Sequence, residues 1–335
     1  MMKISLRLRF TEPRELRELV TTAEAVGIHG VWISEPWGYD AAPILGWCAA
    51  HTSTLLLGTH IASIFARTPA ATAGMAASLA SLSDGRFRLG LGTSGPAVVE
   101  AWHGVEFAKP IARTRDTIAI VKQVLSGGHV QHVGSTVSAP MAGSGRRPLR
   151  FAGAAVGNDV PIYLGALGPA NQRLTAAQAD GWTPTPYSPD HHAALAADLD
   201  AALADNGRQV QLAPVAPIAI GDDLNAMWDL ERRRSAFYLG AMGEFYARAA
   251  TRMGFGDMTS RVRSSWSAGR KSEAAAAVDD TYADAIGLFG PAPRIRERLD
   301  RYAAAGVDEV VLELRQRDLV DRLRDLRSMG ALIAA

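Results

Sequence analysis

Apolar positions fall along the chain in two alternating rhythms. Short runs rich in Val, Ile and Leu (KISLRLR at 3–9, GVWIS at 30–34, LLLGTHI at 55–61, RFRLGLG at 86–92) are separated by amphipathic, Ala-rich stretches of helical length at 13–26, 41–51, 69–83 and 111–126. This alternation is the mark of a parallel sheet joined by helical crossovers. It resumes with VPIYLGA (160–166), a short strand in GWTPTP (181–186), a helix at 188–206 and VQLAPVAPIAI (210–220), whose two prolines demand a bulge or an early strand end. A long, mostly helical tract at 222–285 precedes the last unit: a helix in PAPRIRERLDRYAAAG, with proline near its start and Gly306 at its end, then DEVVLEL at 308–314.

Eight strands with intervening helices count out a closed (β/α)8 TIM barrel, an α/β fold, better than an open doubly wound sheet. Two insertions interrupt it. Residues 127–160 contain HVQHVGSTVS, able to form a hairpin, and the Gly/Arg excursion AGSGRRP; residues 222–285 are the other. The length of 335 residues suits a single domain, 1–335, of this kind.

Composition narrows the function. With 48% hydrophobic and 21% charged residues the chain can bury a sizeable core. Basic and acidic side chains number 35 and 34, for a net charge of +1, and no segment concentrates the basic ones, so nucleic acid is not an expected partner. No window reaches about 18 uninterrupted apolar residues, which argues against a membrane span. The first ten residues read as a strand rather than a signal peptide. With Cys48 as the single cysteine no internal disulfide can form, and the cytoplasm is the simplest compartment. There is no HExxH, the His191-His192 pair falls in an expected surface helix, and no metal site is expected. Neither a Gly-x-Ser-x-Gly elbow nor a P-loop occurs.

Residues 58–115, GTHIASIFARTPAATAGMAASLASLSDGRFRLGLGTSGPAVVEAWHGVEFAKPIARTR, resemble the luciferase-like (bacterial luciferase) barrel superfamily, and within it the F420-dependent oxidoreductases. VWISEPWGYDA (31–41), IYLGALGP (162–169), ADGW (179–182) and GPAPRIRERL (290–299) continue the similarity in family order. It thins over 127–160, 222–285 and the last twenty residues.

The resemblance implies coenzyme F420 as the cofactor, with FMN the alternative, held at the C-terminal mouth of the barrel. It implies a homodimer and a small-molecule substrate. In several relatives an Asp-His pair follows strand two; here Glu35 and Pro36 stand there, so the proton-transfer histidine is missing. Its role falls to Glu35, Asp40 or Tyr39, or to substrate and water. Plain chemistry offers a second reading, in which Glu35 pairs with a barrel arginine and Asp40 caps the next helix. By resemblance a bulge with a non-proline cis peptide falls between His60 and Ile61 and backs the middle ring of the cofactor, with Ser63 near its polar edge. Thr93, Ser94 and Gly95 bring backbone and short hydroxyls close, and Ser94 or Gly95 stands where some members carry a catalytic Glu. Trp102-His103 would wall the substrate pocket, with His103 a candidate acid or base. Gly165, Ala166, Leu167 and Gly168 join a strand to a helix whose first N–H groups favour an anion, and the family binds its phosphate there. Trp37, Tyr39, Phe65 and Trp102 are the expected substrate walls; Arg67 and Arg113 are expected in structural ion pairs.

The expected activity is therefore hydride transfer from a deazaflavin to an activated C=C, C=N or C=O bond, or the reverse. Two alternatives stand beside it. One is an FMN-dependent monooxygenase on the same scaffold, and the other a catalytically silent barrel that binds a flavin or a partner.

Overall fold

A computed structural model describes residues 2–9, 11–154 and 160–334. Eight parallel strands close the barrel: β1 (Lys3–Leu8), β2 (Gly30–Ile33), β3 (Leu56–Thr59), β4 (Phe87–Gly92), β5 (Ile162–Leu164), β6 (Gly181–Trp182), β7 (Gln211–Leu212 continued by Val215–Ile220) and β8 (Glu309–Leu314). β1 pairs with both β2 and β8, so the sheet returns to its start. Closure depends on β7, whose first part pairs with β6 and whose second part pairs with β8. The break falls at Ala213-Pro214, where proline has no N–H to offer a ladder.

Alternation along each strand sorts its side chains between two environments. On β1, Ile4, Leu6 and Leu8 join the aliphatic core beneath the helices, while Arg7 turns inward to Glu313 of β8. On β8, Val310 and Leu312 face that outer core, and Glu309 turns inward to meet Arg88 of β4 at 2.5 Å and the Trp32 indole at 2.9 Å. Trp32, Tyr163, Ala213, Val215 and Val311 pack around this buried ion pair and fill the lower barrel. Such a pair is tolerated because its hydrogen-bond partners are already in place.

β3 is interrupted by a cis peptide at His60-Ile61 and then resumes as Ala62–Ser63, both parts lying against β4. Gly90 of β4 lies behind the interruption: a Cβ there would sit 1.9 Å from the Thr59 carbonyl oxygen. The backbones can approach this closely only because that position carries no side chain.

The insertion at 127–160 contains the expected hairpin, His132–Val133 antiparallel to Ser138–Ala139; its residues 155–159 lie outside the described ones. The 222–285 tract is helical throughout its main segments, with Leu224–Ala241 and Glu244–Arg252 nearest the barrel mouth. Expected strands five and six prove shorter. β5 stops at Leu164, and β6 stops at Trp182 because Pro184 and the cis Thr185-Pro186 bond follow. Three elements have no counterpart in the sequence reading: a short helix at Pro96–Val99, a strand at Leu288–Gly290 beside the end of β7, and a last helix, Leu319–Ala334, packed on the first, Pro13–Ala25. Among the described residues no helix is long and apolar enough to cross a membrane.

Candidate active site

The C-terminal ends of β1 to β6 meet around a cavity of about 290 Å³, closed on its far side by Tyr238, Met242, Phe245 and Tyr246 from the 222–285 tract. The mouth of a barrel is where such folds assemble their chemistry. Two differently built halves make up the wall.

The first half is a seat with little side chain. Ile61, just after the cis peptide, lies between two glycines: a Cβ on Gly92 would come within 2.9 Å of its side chain, and one on Gly165 within 3.4 Å. Glycine at both places leaves the Ile61 side chain uncovered toward the cavity. Ser94 takes a left-handed backbone, φ 56°, which turns the chain from β4 into the short helix Pro96–Val99. Beyond Gly165, the helix Pro169–Gln178 begins at Gly168 with no side-chain cap on its N-terminal N–H groups. Ser34 Oγ and Asn171 Oδ1, on residues lining the cavity, are buried without a partner. A buried polar atom left unpaired is costly, so both are natural contacts for a polar ligand edge.

The second half is charged and aromatic. Glu313 binds Arg7, Arg234 (3.0 Å) and Arg315 (2.6 Å); Arg315 also binds Glu231 at 2.6 Å. Above them the Arg9 guanidinium lies 5.6 Å from the Trp37 ring and 5.4 Å from the Tyr238 ring, and Arg234 lies 4.6 Å from Tyr238. Cation–π placement of this kind favours the cation while it polarises the ring. Four arginines face two glutamates here, so the cluster carries excess positive charge toward the cavity.

His60 joins the halves, and its tautomer follows from its neighbours. Thr183 Oγ1 donates to the Ala213 carbonyl at 2.8 Å, so it accepts from His60 Nε2 at 2.6 Å; Nδ1, left without a proton, accepts from Arg7 at 3.2 Å. Burial, reinforced by the Arg7 charge, holds the imidazole pKa well below its ordinary 6.5. His60 is a fixed neutral ring, unsuited to delivering a proton.

The family model for luciferase-like monooxygenases matches residues 4–309. The chain belongs to this family. It is 35% identical to a Mycobacterium tuberculosis protein provisionally named a coenzyme F420-dependent oxidoreductase, over 98% of this chain and 99% of that one. It is 26% identical to 5,10-methylenetetrahydromethanopterin reductase of Archaeoglobus fulgidus, over 89% and 88%. Among solved structures, the coenzyme F420 dependent tetrahydromethanopterin reductase from Methanopyrus kandleri superposes with a TM-score of 0.84 at 20% identity, over 98% and 97% of the two chains.

Within this luciferase-like barrel the sequence-derived candidates divide. Glu35, Trp37, His60, Ile61, Thr93, Ser94, Gly95, Gly165, Leu167 and Gly168 line the cavity. Seven others do not, each for a local reason. Ser63 is buried, its hydroxyl accepting from the Phe65 N–H at 3.3 Å. Ala166 is fully buried, its carbonyl holding the Trp182 indole at 2.7 Å. Asp40 caps the helix Ala41–His51 through the Ala42 N–H at 2.8 Å and binds Arg67 at 2.7 Å. Tyr39 is 47% exposed and donates to Glu12. Trp102 is 62% exposed in the turn that leads away from the mouth, and the adjoining His103 stays outside the cavity with its Nε2 buried and unpaired. Phe65 lies one layer behind the wall, its ring 5.3 Å from Phe107, which in turn meets Phe245 at 6.3 Å; Phe245 holds the position expected of Phe65.

Arg67 is the expected ion-pair residue, binding Glu35 at 2.6 Å as well as Asp40. Arg113 is not in an ion pair among the described residues: it donates to the Ile64 carbonyl at 3.1 Å and covers the Phe65 ring. Sequence reasoning missed Arg9, Asn171, Tyr238 and Tyr246. A signal was present in the stretch WDLERRRSAFYLGAM. Glu231, Arg234, Ser235 and Tyr238 recur at three- and four-residue spacing, which puts polar groups on one helical face where a packed helix should be apolar.

Proposed function

We propose that this chain is an F420-dependent oxidoreductase that transfers hydride between the deazaflavin and a small organic substrate, reducing an activated C=C, C=N or C=O bond. The observation that carries the reading is the Ile61 seat, uncovered between Gly92 and Gly165 and continued by an uncapped helix start at Gly168. A flat tricyclic ring with a phosphorylated tail fits that donor set. Ile61 would back the ring, Ser34 and Asn171 supply polar atoms that lack partners, and the backbone at Gly165–Gly168 leads to N–H groups suited to phosphate. The name of the Mycobacterium tuberculosis relative supports the same cofactor, and that of the Archaeoglobus fulgidus relative supports a reductive reaction.

When bound, a 5-deazaflavin supplies a carbon-centred, two-electron hydride donor or acceptor. The protein supplies placement. Trp37 and Phe245 offer apolar walls for the substrate, and the closed far side of the cavity limits water around the reacting atoms. Glu35, held by Arg67 at 2.6 Å, is fixed in position at the mouth, where it can orient polar groups.

Anaerobic titration of the purified protein with reduced F420 and, in parallel, with FMN tests the proposal. F420 is expected to bind at least about tenfold more tightly, a difference of about 1.4 kcal/mol. Tight FMN binding with no F420 binding would reverse the assignment in favour of a flavin monooxygenase.

A further inference from the structure

The missing strand-two histidine leaves the substrate's proton unassigned, and the groups near the ring seat do not supply it. His60 is neutral and fully engaged, Glu35 is tied to Arg67, and Asp40 and His103 lie outside the cavity. Tyr238, on the helix Leu224–Ala241, lines the same cavity as the seat. With Thr185 and Tyr246 it also lines a smaller chamber of about 30 Å³ that lies among Glu231, Arg234, Ser235, Tyr282 and Arg315. Its ring contacts are Arg9 of the β1 end, Arg234 of its own helix, Phe237 and, at 4.7 Å, Tyr246 of the next helix. Among the described residues its hydroxyl forms no hydrogen bond and is not sealed from solvent.

We propose that Tyr238 is the proton donor of this site, and that Arg9 and Arg234 stabilise the phenolate it becomes. The proposal rests on the F420 reading. In the reductive direction the substrate carbon gains hydride from the reduced deazaflavin, which is thereby oxidised by two electrons. The electronegative atom of the same double bond gains the proton as the Tyr238 O–H bond breaks. Solvent entering the cleft restores that proton; alcohol oxidation runs the same transfer backwards into the phenolate.

The electrostatics agree with the geometry. Burial alone raises a phenol, but the field of Arg234, then Arg9, Arg7 and Arg315, outweighs it and sets the Tyr238 pKa below the ordinary 10. Glu231 and Glu313 also face this region, from its own helix and from β8, yet both are engaged by the arginines. Its neighbour Tyr246 goes the other way, pushed up to about 12 chiefly by burial.

The test uses the full chain, and its first readout is independent of turnover. In the cofactor-free protein, near-ultraviolet titration of tyrosinate absorbance should show one phenol ionising below the others, absent in Tyr238→Phe and moved upward in Arg9→Gln. With reduced F420 and a panel of enones, imines and ketones, Tyr238→Phe should lower kcat by roughly 100-fold or more while F420 affinity stays within about threefold. The pH limb of kcat/KM should move with the titration in Arg9→Gln, a response that a merely structural tyrosine would not give. An early phenol that survives in Tyr238→Phe, or a kcat within about threefold of the parent, overturns the proposal. If Tyr238→Phe does not fold, the Arg9→Gln shift decides the same point. Failure of the parent protein to bind F420 would sink the cofactor reading instead, and the titration would still report on Tyr238.

Discussion

The two halves of the cleft solve different problems with different material. The seat around Ile61 is made from strand ends, glycines and backbone, and it needs almost no side-chain chemistry. The other part of the wall is made largely from a helical tract and carries arginines, glutamates and two tyrosines in edge-to-face contact. A ring common to many reactions calls for shape, which backbone provides here at the ends of β3, β4 and β5. A particular reaction calls for placed charge, which this chain assembles from β1, β8 and a tract more than 200 residues further along than β1.

The sharpest way to break the comparison is to attack the charged half at its centre. Glu313 is buried and serves Arg7, Arg234 and Arg315 together. Glu313→Ala leaves three crowded guanidinium groups without their shared counter-charge, and a loss of about 3 to 5 kcal/mol in unfolding free energy is expected. Urea unfolding measures it. A loss below about 1 kcal/mol would mean that water already compensates these charges.

The seat should respond in the opposite way, losing function and not fold. The three atoms nearest a Cβ at Gly92 all belong to the Ile61 side chain, Cδ1 and Cγ1 at 2.9 Å and Cβ at 3.5 Å, so Gly92→Ala pushes on that side chain rather than on the sheet backbone. F420 affinity is expected to fall about tenfold while stability changes by less than about 1 kcal/mol. Equal damage to both would show that the seat belongs to the core.

His60, at the junction, gives the comparison a pH axis. Burial, with help from Arg7, depresses its folded pKa below 6.5, so the unfolded chain binds this proton more readily. Stability from His60 is complete above about pH 6.5 and is lost as pH falls from there toward the folded value. Urea midpoints should decline across that range in the parent and decline less in His60→Gln. Identical slopes would assign the acid sensitivity to other groups.

Much of this architecture was legible in the sequence, and the reason is locality. Strand and helix alternation and the proline break in β7 each express themselves within a dozen residues, while the His60-Ile61 cis bond comes only from the family resemblance of residues 58–115. The residues that were misplaced depend on directions that local pattern does not give. Phe65, in the turn after Ala62–Ser63, packs one layer behind the wall while Phe245 lines the cavity instead, and Trp102 follows a short helix that leads it into solvent. Arg9 and Tyr238 are far apart in sequence and become neighbours only when the barrel closes and the insertion folds over it.

The smallest expected effect separates the two carboxylates that share Arg67. Glu35 lines the cavity and its side chain is 13% exposed, whereas the Asp40 side chain is 55% exposed and caps the helix start through the Ala42 N–H. An exposed ion pair contributes little, so the cap accounts for most of what Asp40 does. Asp40→Ala should cost about 1 kcal/mol in urea unfolding, and Asp40→Asn, which can still accept that hydrogen bond, only a few tenths. Neither should alter F420 affinity or kcat by more than about twofold, because Glu35 alone keeps Arg67 in place. A large kcat loss in Asp40→Asn, with stability intact, would show that the charge at this position reaches the reacting atoms, and would move the boundary of the site out to the helix cap.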